Sequence, residues 1–246
     1  IRDRSSASLT KMMLHHHLST LQNATLISQT YLMSLIYVVI FLTPVLVNGI
    51  NLSNIPNDYF GISMLVGVIL GSNCATPSTF LGVGISLEKE NYHFIKSLPY
   101  PFKKFLTQKF LVLAALQAFV PAMVYLIVGA FLLKLKPLLI FGFLLGLLMM
   151  ISIQGQLIYW RDYKNLNLLW QDVTQLFNRH SGQWLAFAIM MVAYLLGGGL
   201  AVGLVTLGNI TQQILLINMT LAIVLLILAI VGQVLISHKF WKKISH

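Results

Sequence analysis

Six stretches of this chain, residues 31–50, 60–81, 110–133, 138–160, 184–207 and 212–236, contain no Asp, Glu, Lys or Arg. A helix needs about 20 apolar residues to cross the hydrocarbon core of a bilayer, and each stretch is long enough. All 16 basic and 6 acidic side chains therefore fall between or beyond them. Lipid offers no hydrogen-bond partner to an exposed backbone, which leaves helices as the way for such segments to cross. The pattern predicts an all-α, polytopic membrane protein with six transmembrane helices. It reads as one domain over 1–246, with residues 1–30 as an in-plane helical lead and 31–246 as the six-span bundle. Only 9% of residues are charged and mean hydropathy is +0.82, whereas soluble domains carry about a quarter charged residues.

The loops orient the bundle. With the N-terminus inside, the inside segments hold 14 of the 16 Lys and Arg, and the outside segments only Lys134 and Lys136. The positive-inside bias then predicts both termini in the cytoplasm, and a multi-pass location in the plasma membrane is expected for the chain. The net charge of +10 is thereby read as topology, so no nucleic-acid partner is expected, and the lipid bilayer is the chain's solvent. The chain opens on Ile1 rather than methionine, with no signal-peptide pattern in its first thirty residues, which leaves a longer chain open.

Chemistry-bearing motifs are scarce. One cysteine, Cys74, rules out an internal disulfide. No G-x-x-x-x-G-K-[ST], H-E-x-x-H or G-x-S-x-G occurs, so no catalytic, cofactor or metal site is expected and any ATP hydrolysis belongs to another chain. His15, His16 and His17 are consecutive and point about 100° apart on a helix, which reads as a polar interfacial patch. Small residues recur at four-residue spacing in Gly67/Gly71, Gly142/Gly146 and Gly199/Gly203, a pattern that lets helices approach closely in lipid. Gly197-Gly198-Gly199 suggests a bend in the fifth span. Asn48, Asn73, Gln117, Gln154, Gln156, Asn218 and Gln233 are expected to hydrogen-bond between helices.

Two inside segments have helical character. Residues 161–183 place Leu166, Leu169, Trp170, Val173, Leu176 and Phe177 at helical spacing, and residues 11–30 form an amphipathic run suited to the headgroup plane. The stretch SLEKENYHFIKSLPYPFKKF, from Ser86 to Phe105, reads as two short helices. Ser86 is placed as N-cap, with Glu88 and Glu90 complementing the dipole in the first turn. Leu87, Asn91, Phe94, Ile95 and Leu98 share a face, and Pro99 and Pro101 break the chain before a second helix.

Glu88 through Lys109, above all Lys96-Ser97-Leu98-Pro99, resembles the corresponding segment of bacterial ABC exporter permeases of the type-2 class. Trp160-Arg161-Asp162-Tyr163-Lys164, with Leu166 and Trp170 after it, resembles the same group. The resemblance implies a coupling helix between the second and third spans that docks on a cytosolic ABC ATPase subunit. It also implies pairing of membrane subunits as a homo- or heterodimer, and export of a substrate such as a hydrophobic peptide. Glu88, Phe94, Lys96, Leu98, Pro99 and Lys103 are the residues it assigns to ATPase coupling. Two other readings stay open: an ion-coupled secondary carrier, and a non-transporting membrane immunity or scaffold protein.

Overall fold

The computed structural model describes residues 23–49, 51–97, 101–177 and 182–242, together with His16. Among the described residues the elements are helical, with no strand. They run α1 (Ala24–Val47), α2 (Phe60–Cys74), α3 (Phe80–Val83), α4 (Asn91–Ser97), α5 (Phe102–Ile127), α6 (Pro137–Lys164), α7 (Val173–Phe177), α8 (Gly182–Thr211) and α9 (Ile214–Ile236). Five helices, built on α1, α5, α6, α8 and α9, are long and apolar enough to cross a membrane.

The second apolar run departs from expectation. It is not one helix: α2 stops at Cys74, residues 75–79 are irregular, and α3 adds a single turn. Pro77 lacks an N–H and disfavours helical geometry at Thr76, while Ser72, Asn73, Ser78 and Thr79 offer the backbone competing partners. Proline alone is insufficient, because Pro44 and Pro121 lie inside continuous helices. The three glycines at 197–199 do not bend α8, which is unbroken from Gly182 to Thr211.

The broken element forms the centre of the bundle. Met64, Gly67, Leu70, Gly71 and Cys74 of α2 are buried, and so are residues 80–86. α2 packs most extensively on α6, with α1, α8 and α9 also against it. The glycines explain the close approach. A Cβ on Gly67 would run into the Phe143 carbonyl, and one on Gly146 into that of Met64. Around Gly199 and Gly203, by contrast, a Cβ would meet nothing within 4 Å. Gly67→Val is therefore expected to cost several kcal/mol through overpacking, whereas Gly203→Val should change stability by less than about 1 kcal/mol. Thermal unfolding of the two variants in mild detergent checks this contrast.

A break in a buried helix exposes backbone polar groups that must find partners. Three other helices supply them. Gln117 of α5 donates to the Cys74 carbonyl at 2.6 Å and accepts from the Leu81 N–H at 3.1 Å. Gln154 of α6 donates to the Ser72 and Ala75 carbonyls at 2.9 and 2.7 Å. Thr30 of α1 accepts from the Phe80 N–H at 3.2 Å. The expected bonds between helices thus occur for Gln117 and Gln154, and also for Asn73, Asn218 and the pair Gln156–Gln233. Asn48 instead bonds within α1, to Pro44.

Candidate functional site

The segment after the break leads into the predicted elbow. Residues Ser86–Glu88 form a short 3-10 turn, and Lys89 follows at φ 48°. That left-handed residue stands between the turn and α4, which begins at Asn91. Ser86 is not the N-cap of a solvent-facing helix, as the sequence suggested, but a buried junction. Asp162, near the end of α6, accepts hydrogen bonds from the Ile85 N–H at 2.7 Å, the Ser86 N–H at 3.0 Å and the Ser86 hydroxyl at 2.6 Å. It is 2% exposed, so one carboxylate matches two buried backbone donors that no helix carbonyl can reach. The Ser86 carbonyl in turn accepts from the Trp170 indole N–H at 2.8 Å. Lys89 places its ammonium 3.6 Å from the centre of that indole ring, a cation–π contact.

Glu88 is likewise misplaced by the sequence reading. It does not sit in an exposed first turn complementing a dipole; it is 3% exposed. Its Oε1 accepts from the Lys109 ammonium of α5, and its Oε2 lies 2.8 Å from His16 Nε2. Burial on its own raises the Glu88 carboxyl. The hydrogen bond to His16 and the charge and hydrogen bond of Lys109 outweigh that, and hold it at about 2. Lys109 is fully buried, and the carboxylates of Glu88 and Asp162 both act on it electrostatically. His16 therefore belongs to a defined cluster and not to a merely interfacial patch. The rest of the expected in-plane run before Asn23 lies outside the described residues. Its last part, from Ala24 to Thr30, is the start of α1, capped by Asn23.

α4 rests on this base. Tyr92 and Ile95 turn inward and are buried, at 7% and 6% exposure. Phe94, which the spacing put on the apolar inner face, is instead 63% exposed. Lys96 is exposed beside it, and Lys103, in the first turn of α5, is half-buried. Leu98 and Pro99 lie outside the described residues. Pro101 stands at the N-cap position of α5, so the second helix begins directly after it, at Phe102. A seven-residue helix anchored at its base thus presents an aromatic ring and a lysine to its surroundings.

The stretch from 165 to 172 is irregular rather than helical, and helix returns only at Val173–Phe177. Val173, Leu176 and Phe177 are buried in the same apolar cluster as Tyr92, Ile95 and Phe105, while Leu169 is 92% exposed. Residues 178–181 lie outside the described residues.

Of the six residues assigned to coupling, Glu88 is a buried anchor, and Phe94, Lys96 and Lys103 are the described residues accessible beside it. Sequence reasoning missed Asp162, Lys109 and His16 as a connected set. Asp162 had a signal, an acid directly after Trp160-Arg161 at the end of an apolar run, but nothing in its spacing pointed to Ser86. Among the described residues no group of His, Cys, Asp and Glu could hold a metal ion; the segment is tied by hydrogen bonds and an ion pair to α5 and α6. Comparison with protein families, characterised proteins and solved structures gives no match for this chain.

Proposed function

We propose that the chain is the membrane-embedded permease subunit of an ABC exporter. Its six apolar runs, the second broken at residues 75–79, would lie in the plasma membrane with both termini cytoplasmic. A separate cytosolic ATPase would bind α4 and drive export of a hydrophobic substrate such as a peptide, within a dimer of membrane subunits. The observation that carries this reading is the contrast within one short segment. Phe94 and Lys96 face outward, while the base of the same segment is tied to α5 through Glu88–Lys109 and to α6 through Ser86–Asp162. A solvated loop needs no such anchorage. A lever does, because force applied to α4 is useful only if it reaches the long helices without being absorbed by the joint.

The anchorage also changes the expected route. The sequence suggested that a push on the elbow would tilt the second and third spans. Asp162 ties the elbow to α6 as well, so the fourth span would move with them. Phe94→Asp and Lys96→Glu test the docking role. Each should lower ATP-driven export by about tenfold or more, the scale of one lost interface anchor, with the melting temperature unchanged. Undiminished export in the double variant would remove α4 as the docking element.

A further inference from the structure

Two of the long helices finish side by side. α6 ends at Lys164, and α9 runs on past Ile236 as a turn of π-helix, Ser237–Trp241. Aromatic rings lock the two ends together. Phe240 is fully buried, with its ring centre 6.0 Å from that of Trp160 and 6.1 Å from that of Tyr163. Trp241 stacks on Tyr159 at 6.4 Å and donates its indole N–H to the Gln156 amide oxygen at 3.0 Å. Gln156 in turn donates to Gln233 of α9 at 2.8 Å. The two ends therefore reach the same side of any bilayer that α6 and α9 cross, and both helices are long and apolar enough to cross one.

Cations collect on this locked end. Lys164 holds its ammonium 4.1 Å from the centre of the Trp160 ring, a cation–π contact, and Lys239 and Lys242 flank the Phe240–Trp241 pair in the chain. All three lysines are exposed. No surface acid offsets them. Residues 163–171 and 231–246 contain no Asp or Glu, and Asp162 is buried and hydrogen-bonded to Ile85 and Ser86. Among the described residues neither Lys164 nor Lys239 forms an ion pair. On the bilayer side of these charges the surface is apolar. Exposed Leu157 lies on the same face of α6 as Trp160 and Lys164, at i, i+3 and i+7. Exposed Leu235 stands one turn before Lys239.

We propose that the paired ends of α6 and α9 bind the headgroup of an anionic phospholipid, with Lys164 and Lys239 as its main contacts and its acyl chains lying along Leu157 and Leu235. Charge selects the ligand. Ammonium groups without a neighbouring carboxylate suit a phosphate, whereas a zwitterionic headgroup brings its own cation and gains less. Position selects the source. A free anion has no use for apolar side chains one turn away, while a lipid presents phosphate and hydrocarbon together, and basic sites between helices at the membrane surface retain such headgroups. Positive-inside topology accounts for lysines near a membrane, but not for two helix ends held side by side by a cluster of rings. The inference needs only that α6 and α9 cross a bilayer, and is independent of the exporter reading.

The test is native mass spectrometry of the full chain in mild detergent, titrated with dioleoyl phosphatidylglycerol and, in parallel, with dioleoyl phosphatidylcholine. The anionic lipid should bind saturably and about tenfold more tightly than the zwitterionic one. Lys164→Gln with Lys239→Gln should weaken phosphatidylglycerol binding by about tenfold or more, since each lysine near a membrane surface is worth about fivefold. Lys134→Gln with Lys136→Gln, at the opposite end of α6, removes the same charge and should leave the affinity unchanged. Equal binding of the two lipids would overturn the proposal. So would undiminished binding by the first variant, or an equal loss in the second, which would reduce the effect to net charge. Displacement of the lipid by equimolar glycerol phosphate would also overturn it, by reassigning the site to free anions. Should a variant fail to fold, the comparison of the two lipids on the unaltered chain decides the matter.

Discussion

Replacing Glu88 by leucine is expected to cost about 3–5 kcal/mol of stability, because it leaves the Lys109 ammonium buried without its hydrogen-bond partner. Replacing Lys109 by methionine should cost less, because Glu88 keeps its contact with His16. The double replacement should recover most of that loss, since two apolar side chains of similar volume then fill the space with no charge to desolvate. A double-mutant cycle of thermal unfolding in mild detergent measures the coupling. Acid provides an independent reading of the same joint. The Glu88 carboxyl sits at about 2 in the folded chain, against an ordinary value of 4.5. A lowered folded value means that its contribution is complete above pH 4.5 and is lost as pH falls toward 2. The double variant should lack that component of acid destabilisation. Recovery of stability with loss of export would separate the two roles of the pair, since an apolar joint can hold the fold without holding α4 in register.

Asp162→Ala carries the second large effect. It strips the acceptor from two buried backbone N–H groups and a buried hydroxyl. At about 1–3 kcal/mol for each unmatched buried donor, the loss should reach roughly 3–5 kcal/mol. Asp162→Asn keeps the shape and one oxygen, and should cost about half as much. Because Asp162 is the bond between the elbow and α6, the Asn variant should also weaken export more than its stability loss explains. Melting temperature and ATP-driven export, measured on the same preparations, distinguish the two effects.

How much of this was legible beforehand depended on the kind of signal. The long helices follow from charge-free runs, a signal that needs no knowledge of neighbours. The close approach of α2 and α6 at Gly67, Gly71, Gly142 and Gly146 followed the four-residue spacing, but the same spacing at Gly199 and Gly203 meets open surroundings. Spacing shows that a close approach is permitted, not that a helix is there. The break at residues 75–79 was concealed because the run holds no charged residue and a hydropathy reading does not see backbone satisfaction. The cluster of Ser72, Asn73, Thr76-Pro77, Ser78 and Thr79 was the available sign. The elbow was found, but its faces were not. Helical spacing put Phe94 with Ile95, whereas Tyr92 and Ile95 are the buried residues of α4 and Phe94 is exposed. The partnerships of Glu88 with Lys109 and of Ser86 with Asp162 span 21 and 76 residues. No local pattern encodes such separations.

The central claim is that α4 is the seat of an ATPase, and purification tests it most directly. The full chain would be isolated in mild detergent from its native membrane and assayed for bound P-loop ATPase and for ATP hydrolysis. The parallel preparation would carry Phe94→Asp and Lys96→Glu. The account predicts that an ATPase subunit elutes with the unaltered chain in stoichiometric amount and is lost from the double variant, which melts at the same temperature. An unaltered chain that elutes without any ATPase, or a double variant that retains it in full, would contradict the account.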